Sequence, residues 1–157
     1  MSIVRYKRGS RVKLWQEIYS VVIRASYFQL LDTSTTVASW QRTIELWDNG
    51  TDGGRWIQGF EWMYENLSNQ WVRLAIVYVP SGYDARPIIL TINGDESYIP
   101  AEHCLFFKGE MKKGSGVFNG KIFMKPGDRI CVVVATSTEP IGDLGRFTFK
   151  YNVTYSE

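Results

Sequence analysis

The sequence predicts an all-β protein made of two packed sheets, and three observations lead to that prediction. The 157 residues include six Trp, nine Tyr and eight Phe, a composition that favours strands over helices. Apolar and polar residues alternate over several short segments that are separated by Gly, Pro, Asn and Asp. One segment, residues 71–79, is apolar at nearly every position. The length fits one domain with a substantial core.

Residues 71–79, WVRLAIVYV, are predicted to form the central strand. Both faces of this strand are apolar, and only Arg73 interrupts the run. Such a strand lies between two layers of its own chain, or packs one face against a neighbouring subunit. Residues 80–82, Pro-Ser-Gly, end it, because Pro cannot donate a hydrogen bond to a sheet and Gly permits a sharp turn.

The preceding residues alternate between strand and turn patterns. Residues 17–31 are predicted to form one strand, and residues 32–36 a loop. Residues 41–47 alternate weakly, and residues 48–54, DNGTDGG, contain the strongest turn pattern, which we interpret as a hairpin turn. One face of the first strand is expected to carry Tyr19, Val21, Ile23, Ala25, Tyr27 and Gln29.

The middle of the chain contains one clear strand and a less regular region. Residues 55–65 alternate, and residues 66–69 turn the chain into the central strand. Residues 87–92 and 102–108 have the composition of short strands, whereas residues 108–116, KGEMKKGSG, are interpreted as a polar loop. One face of the strand at 55–65 is expected to carry Trp56, Gln58, Phe60, Trp62 and Tyr64.

The last third has the most regular pattern. Residues 117–124 and 128–136 flank residues 125–127, Lys-Pro-Gly, whose order suits a type II turn. Residues 145–155 alternate strictly, with aromatic or branched apolar residues on one face. The count is eight or nine strands with no convincing helix and no internal repeat, which favours a β-sandwich or jelly roll.

The net charge is only +2, but the charges are unevenly distributed. Residues 1–13 contain five basic residues and no acidic residue. A basic arm of this kind beside a near-neutral body suggests a polyanionic partner, because phosphate contacts give affinity without reading bases. A solvated terminus that only aids solubility is the other interpretation. The candidate nucleic-acid-binding residues are Arg5, Lys7, Arg8, Arg11 and Lys13.

No catalytic residue set is predicted. The single histidine, His103, adjoins Cys104, and consecutive side chains of a strand point to opposite faces. Glu61 and Glu65 share a strand face but are expected to lie about 13 Å apart, beyond the ~5–9.5 Å of glycosidase carboxylate pairs. We therefore expect no enzymatic activity and no cofactor.

No metal site is predicted either. Residues 48–53, DNGTDG, match the beginning of a calcium-binding EF-hand loop. Gly50 and Gly59 stand at the third and twelfth positions, where that loop needs oxygen ligands, so a turn is the preferred interpretation.

Cysteine use and terminal composition favour an intracellular origin. Cys104 and Cys131 are expected to be buried free thiols, although one bridge between them remains open. No apolar run approaches the ~20 residues of a membrane span, and the basic N-terminus lacks the apolar region of a secretory signal. The three Asn-x-Ser/Thr sequons, at Asn49, Asn66 and Asn152, are therefore interpreted as chance matches.

The region 53–157 resembles the capsid proteins of small circular single-stranded DNA viruses. That family has a strand ending in V-R-x-x-x-V-Y, a P-x-G loop, a late strand with G-D-x-x-x-x-V-V, and a terminal R-F-x-x-x-Y-x-V strand. The matching residues here are Val72, Arg73, Val77, Tyr78, Pro80, Gly82, Gly127, Asp128, Val133, Val134, Arg146, Phe147, Tyr151 and Val153.

The resemblance implies an eight-stranded antiparallel jelly roll at residues 14–157, preceded by a short basic arm at residues 1–13. It also implies self-assembly into an icosahedral shell around single-stranded DNA, with the arm turned inward onto the genome. The expected location is the virion, and the host nucleus during assembly, with no membrane partner. The arm is shorter and poorer in Arg than is usual for the family.

A second class of protein fits the same strand pattern. A non-viral jelly-roll binding module, either lectin-like or a tumour-necrosis-factor-like trimer, would use exposed tryptophans to stack on sugars or would bury a strand in a trimer core. Core positions are nevertheless the expected fate of most tryptophans, because large aromatic residues dominate sandwich interiors. The candidates are Trp56, Trp62 and Trp71.

Overall fold

Nine strands make up the described part of the chain, and no helix occurs there. The computed structural model describes residues 12–24, 29–31, 39–50, 53–82, 105–136 and 142–156. The strands are β1 (Val12–Arg24), β2 (Gln29–Leu31), β3 (Ser39–Asp48), β4 (Arg55–Asn66), β5 (Val72–Val79), β6 (Leu105–Met111), β7 (Gly114–Met124), β8 (Arg129–Thr136) and β9 (Asp143–Ser156).

The strands form two antiparallel sheets that pack face to face. The four-stranded sheet has the order β1-β9-β4-β7, and the five-stranded sheet has the order β2-β3-β8-β5-β6. Every pair of neighbouring strands is antiparallel. The predicted all-β sandwich is confirmed.

Most connections carry the chain from one sheet to the other. The chain changes sheet between β1 and β2, β3 and β4, β4 and β5, β6 and β7, β7 and β8, and β8 and β9. Strands that are close in sequence are therefore rarely hydrogen-bond partners, and the first long strand pairs with the last, from Val12–Ser156 to Arg24–Asp143.

The core between the sheets is rich in aromatic residues. Trp62 of β4 lies 4.4 Å from the Phe107 ring of β6 and 6.3 Å from the Phe147 ring of β9, measured between ring centroids. The β6 contact joins the two sheets, while Leu74 and Ile76 of β5 are fully buried in the same cluster. Aromatic contacts of this kind add stabilisation beyond the burial of their area.

Strand β5 is buried on both faces, as its sequence predicts. Ala75, Val77 and Val79 point away from the sandwich core and form a second buried cluster with alternate residues of β8. This burial is complete within one chain, so no neighbouring subunit is needed to cover the second face. The middle position of the sheet is wrong for β5, however, because β8 occupies it and β5 lies between β8 and β6.

The single strand predicted at residues 17–31 is wrong. The chain forms β1 and the three-residue β2 instead, and these belong to different sheets. The β1 strand also begins earlier than predicted, because its pairing with β9 extends to Val12 and Lys13. The residues predicted to face the core from this strand are confirmed for Tyr19, Val21 and Ile23.

The polar loop predicted at residues 108–116 is also wrong. Strands β6 and β7 occupy most of it, and only Lys112 and Lys113 connect them. Gly114 and Gly116, which suggested a loop, lie in β7 next to the buried ring of Trp62. A Cβ atom on Gly116 would lie 2.5 Å from Nε1 of Trp62, so a glycine lets the strand pass close to the indole.

A β-bulge in β4 changes which residues face the core. Gly59 has φ of +85°, and the register of β4 shifts against both neighbouring strands at this point. Ile57 is buried before the bulge, and Phe60 is buried after it. The predicted single face is therefore wrong for Trp56 and Gln58, which lie on the outward side of the strand.

Two turns show different outcomes. At residues 125–128 the nitrogen of Asp128 donates to the oxygen of Lys125 at 3.0 Å, and Gly127 has φ of +83°, as the predicted type II turn requires. The connection at residues 48–54 is not a hairpin turn, because it links β3 of one sheet to β4 of the other. Residues 32–36 and the strand predicted at 87–92 lie outside the described residues.

Candidate functional site

Four of the five predicted nucleic-acid-binding residues precede the β-sandwich, and the fifth, Lys13, lies in β1. The structure does not describe Arg5, Lys7, Arg8 and Arg11. The backbone of Lys13, in β1, pairs with that of Tyr155 in β9. Strand β1 is at the edge of the four-stranded sheet. The basic segment therefore leads directly into an edge strand, and the arm itself stays a prediction.

The surface of the four-stranded sheet that points away from the core is a candidate functional surface, and we call it the outer face. Its strands are paired so that outward side chains form rows across the sheet, such as Ile18–Lys150–Glu61–Val117. The charged residues of this face are Arg24, Glu61, Glu65, Lys121, Asp143, Arg146 and Lys150. The basic residues outnumber the acidic residues by four to three.

The bulge in β4 leaves a shallow depression of about 100 Å³ on the outer face. Two of the residues that line this depression are Phe60 and Phe118, whose rings stack with their centroids 5.0 Å apart. We call it the bulge depression. The other residues around it are Gln16, Gln58, Gly59, Glu61, Val117, Asn119, Lys150 and Asn152.

The polar groups of the bulge depression are only partly satisfied by one another. Nε2 of Gln58 donates to Oγ1 of Thr154 at 2.7 Å. Nε2 of Gln16 reaches Oδ1 of Asn152 at 3.5 Å, at the limit for a hydrogen bond. Nδ2 of Asn152 also reaches the backbone oxygen of Gln58 at 3.5 Å, again at the limit for a hydrogen bond.

An exposed aromatic pair lies on the same face. Trp56 of β4 and Phe123 of β7 meet edge to face with ring centroids 5.1 Å apart. They are 44% and 43% exposed, respectively. A Cβ atom on Gly54 would overlap the Phe123 ring, so the glycine allows this ring to lie across the chain. Trp56 and Gln58 are two residues apart, which places their Cα atoms about 7 Å from one another.

A buried carboxylate organises one end of the sandwich. Asp128 is 1% exposed and accepts hydrogen bonds from the backbone nitrogens of Ser81 and Lys125, each at 2.9 Å. It also accepts a short hydrogen bond from the Tyr78 hydroxyl. Asp128 thus ties the end of β5 to the β7–β8 turn.

Asn49 extends this network to the β3–β4 connection. Its side chain is buried, and its Nδ2 donates to the oxygen of Met124 at 2.9 Å. A glycan could not be attached to an amide in that position without breaking the contact, which agrees with reading this sequon as a chance match. Oδ1 of Asp48 accepts from the nitrogen of Gly50 at 2.8 Å, so this carboxylate closes the turn.

The described residues contain no group of three or more His, Cys, Asp and Glu that could hold a metal ion. Glu61 and Glu65 both point outward, opposite Lys150 and Arg146 in the neighbouring strand. His103 and Cys104 lie outside the described residues.

The buried titratable groups are poor nucleophiles. Cys131 is a buried free thiol, and burial raises its pKa to about 12. Burial likewise raises the pKa of Tyr64 to about 12, and its hydroxyl donates to the oxygen of Leu144 at 3.2 Å. Both groups therefore stay protonated at neutral pH.

The other end of the sandwich carries a second exposed tryptophan. Trp71 is 55% exposed, and Nζ of Lys112 lies 5.6 Å from the centroid of its ring. Trp62, by contrast, is buried. Of the three tryptophans considered from the sequence, one belongs to the core and two remain on the surface.

The comparisons with known proteins do not assign the chain to a family. No protein-family model matches it, and no curated protein matches it significantly. The described residues also contain no helix long and apolar enough to cross a membrane.

The bulge depression was not predicted from the sequence. Its polar residues come from four strands, β1, β9, β4 and β7, that are far apart in the sequence. Gly59 within an otherwise regular strand was the one available sign, because an isolated glycine in a strand often marks a bulge.

Proposed function

We propose that the protein is a jelly-roll capsid subunit that assembles into a closed shell and packages single-stranded DNA. The observation that carries the proposal is the strand order. Apart from the short β2, the sheets read β1-β9-β4-β7 and β3-β8-β5-β6. This is the arrangement expected when a long antiparallel hairpin of eight strands folds over into two four-stranded sheets.

The residues that carry the family resemblance support the proposal by their positions. Tyr78 comes from the first motif and Asp128 from the later G-D motif, and the hydroxyl of Tyr78 donates to the carboxylate of Asp128. Two motifs that are distant in the sequence are therefore joined by a hydrogen bond. Such a contact is expected if both motifs belong to the set that the capsid-protein family shares.

Contacts between copies would form through the surfaces that the chain leaves exposed. The outward faces of β5 and β8 are already buried, so the loop ends and the exposed edge strand β1 are the better candidates. Ile18 of β1 is 66% exposed at this edge of the four-stranded sheet. Closed symmetry would repeat each contact and let individually weak contacts hold a shell together.

The arm would neutralise part of the packaged genome. Five cations that each contact one phosphate of a single strand predict a slope of about −3.5 when the logarithm of affinity is plotted against the logarithm of salt concentration. Such contacts do not depend on base sequence. Packaging by this arm should therefore be weakly sequence-selective and strongly sensitive to salt.

The experiment changes all five basic residues of the arm to Ala: Arg5, Lys7, Arg8, Arg11 and Lys13. We expect particles that still form, with the ratio of absorbance at 260 and 280 nm falling to that of protein alone. Size-exclusion chromatography with light scattering measures the particle mass, and electron microscopy of negatively stained material shows the shell.

A matched control removes the same charge from the β-sandwich and should keep its nucleic acid. Retention of nucleic acid by the arm variant would contradict the role of the arm. A chain that stays a single subunit at every salt concentration and pH, with or without DNA, would contradict the capsid proposal itself. The control changes the exposed residues Arg24, Lys108, Lys113, Lys121 and Lys125 to Ala.

A jelly-roll binding module is the second candidate, and the exposed Trp56–Phe123 pair favours it. Such a module would be a monomer or trimer, so the same light-scattering experiment separates it from a shell of megadalton mass.

A further inference from the structure

We propose that the bulge depression and the adjoining Trp56–Phe123 pair form a binding site for a neutral saccharide. The proposal goes beyond assembly and packaging, and it applies whether the chain is a shell subunit or a smaller oligomer. It depends on four properties of the outer face: its shape, its hydrogen-bonding groups, its charge and its exposed aromatic rings.

The shape comes from the bulge. Gly59 has no side chain, and a Cβ atom there would lie 3.0 Å from the backbone oxygen of Phe118. The sheet therefore has a local hollow where a regular strand would carry a projecting residue. A volume of about 100 Å³ is well below the ~300–1,000 Å³ of pockets that enclose a drug-sized ligand. A ligand would therefore lie on the outer face, with only one of its sugar rings placed in the hollow.

The hydrogen-bonding groups suit hydroxyl groups. Carboxamides surround the hollow, and each carboxamide offers both donors and an acceptor. The side chain of Asn119 makes no hydrogen bond within the described part of the chain, and Oε1 of Gln58 remains available after its Nε2 bonds to Thr154. A sugar hydroxyl both donates and accepts, so it can bridge neighbouring amides that an anion, which only accepts, cannot satisfy.

The charge of the hollow favours an uncharged ligand. Its lining contains one acidic residue, Glu61, and one basic residue, Lys150. These two face each other in the register of β4 and β9, which leaves the hollow without net charge. A phosphate or sulfate group would meet the carboxylate of Glu61 as well as the cation of Lys150, so the hollow offers an anion no net attraction.

The aromatic pair would supply apolar contact. The C–H face of a sugar ring is apolar and can lie on an exposed aromatic ring, while its hydroxyls reach polar groups at the edge. Trp56 is in position for this, since Gln58 follows two residues later on the same face. One ring could therefore stack on Trp56 while the next reached the hollow, so an oligosaccharide should bind better than a single sugar.

The test measures binding of the full-length protein to an array of neutral and anionic oligosaccharides, with oligo-deoxythymidine as a further probe. Oligo-deoxythymidine is included because Lys121 lies beside the hollow, and basic residues near exposed aromatic rings also suit single-stranded nucleic acid. We expect a neutral oligosaccharide to bind, with millimolar affinity for a single site, and dense display on the array to make this detectable.

Two variants and one control assign the binding to this site. Trp56→Ala and Asn119→Ala should each lower the affinity for the bound oligosaccharide at least tenfold in titration calorimetry. Trp71→Ala removes a tryptophan of similar exposure from the opposite end of the sandwich and should bind normally. Circular dichroism and light scattering of each variant separate a lost site from lost folding or assembly.

Three results would overturn the proposal. Binding of no neutral oligosaccharide would do so, as would binding confined to sulfated glycans or oligo-deoxythymidine. Neutral binding that survives both substitutions would place the site elsewhere. None of these results bears on shell assembly, which is measured independently by particle mass.

Discussion

Replacing Asp128 by Ala should destabilise the whole sandwich, because this carboxylate is a buried acceptor shared by separate connections. The substitution removes the acceptor of the backbone N–H groups of Ser81 and Lys125. It also removes the partner of the short hydrogen bond from Tyr78. The side chain is 1% exposed, so solvent cannot replace it without local rearrangement.

The expected loss can be worked from these contacts. A donor left without a partner in a buried position costs about 1–3 kcal/mol, and the two N–H groups lie at turns where water can partly reach them. We therefore expect the free energy of unfolding to fall by about 2–4 kcal/mol, a large part of the ~5–15 kcal/mol typical of a domain. The variant Asp128→Asn keeps one acceptor oxygen and should lose about half as much.

Urea unfolding followed by tryptophan fluorescence measures the change on dissociated subunits. With a denaturant slope of ~2 kcal/mol/M, the midpoint should fall by about 1–2 M in Asp128→Ala. Asp143→Ala is the control, because Asp143 is exposed. Its free energy of unfolding should stay within ~0.5 kcal/mol of the parent value, as is usual for surface substitutions. A loss below about 1 kcal/mol in Asp128→Ala would refute the view that this carboxylate holds the connections together.

Two further predictions concern buried side chains. Trp62→Ala should lower the free energy of unfolding by about 3–5 kcal/mol, because it empties the space between β4 and β6. Trp71→Ala, at an exposed position, should lower it by less than about 1 kcal/mol. Equal losses in the two variants, measured by urea unfolding, would contradict the assigned burial of Trp62. Cys131 ionises near pH 9 in the unfolded chain but near 12 when folded, so its contribution to stability is present below pH 9 and is lost as the pH rises from 9 toward 12. The decline of unfolding free energy between pH 9 and 11 should therefore be shallower in Cys131→Ala than in the parent, and equal slopes would show that the thiol is not buried in this way.

Period-two patterning predicted the elements whose geometry is regular. In β9 the alternation places Phe147, Phe149, Tyr151 and Val153 in the core, and all four are buried. In β5 the apolar run predicted burial on both faces, which the two clusters confirm. Both predictions succeeded because the position of a side chain in a regular strand depends only on counting residues along that strand.

The same counting failed where another part of the molecule altered the strand. The bulge at Gly59 turned Trp56 outward, and the sequence contains no alternation that reveals such a shift. The glycines at 114 and 116 were interpreted as loop residues, although they serve the close approach of β7 to Trp62. In each case the deciding contact came from a residue distant in the sequence.

By itself, the sequence determined the β class, the turn at residues 125–128 and the buried faces of the regular strands, because each depends on residues a few positions apart. Only the tertiary structure decided which strands pair, that Tyr78 meets Asp128, and that carboxamides from four strands surround a hollow on the outer face. The physical reason is that strand order and bulges are set by packing between segments up to 144 residues apart, as in the pairing of Val12 with Ser156. No local pattern of residues records such packing.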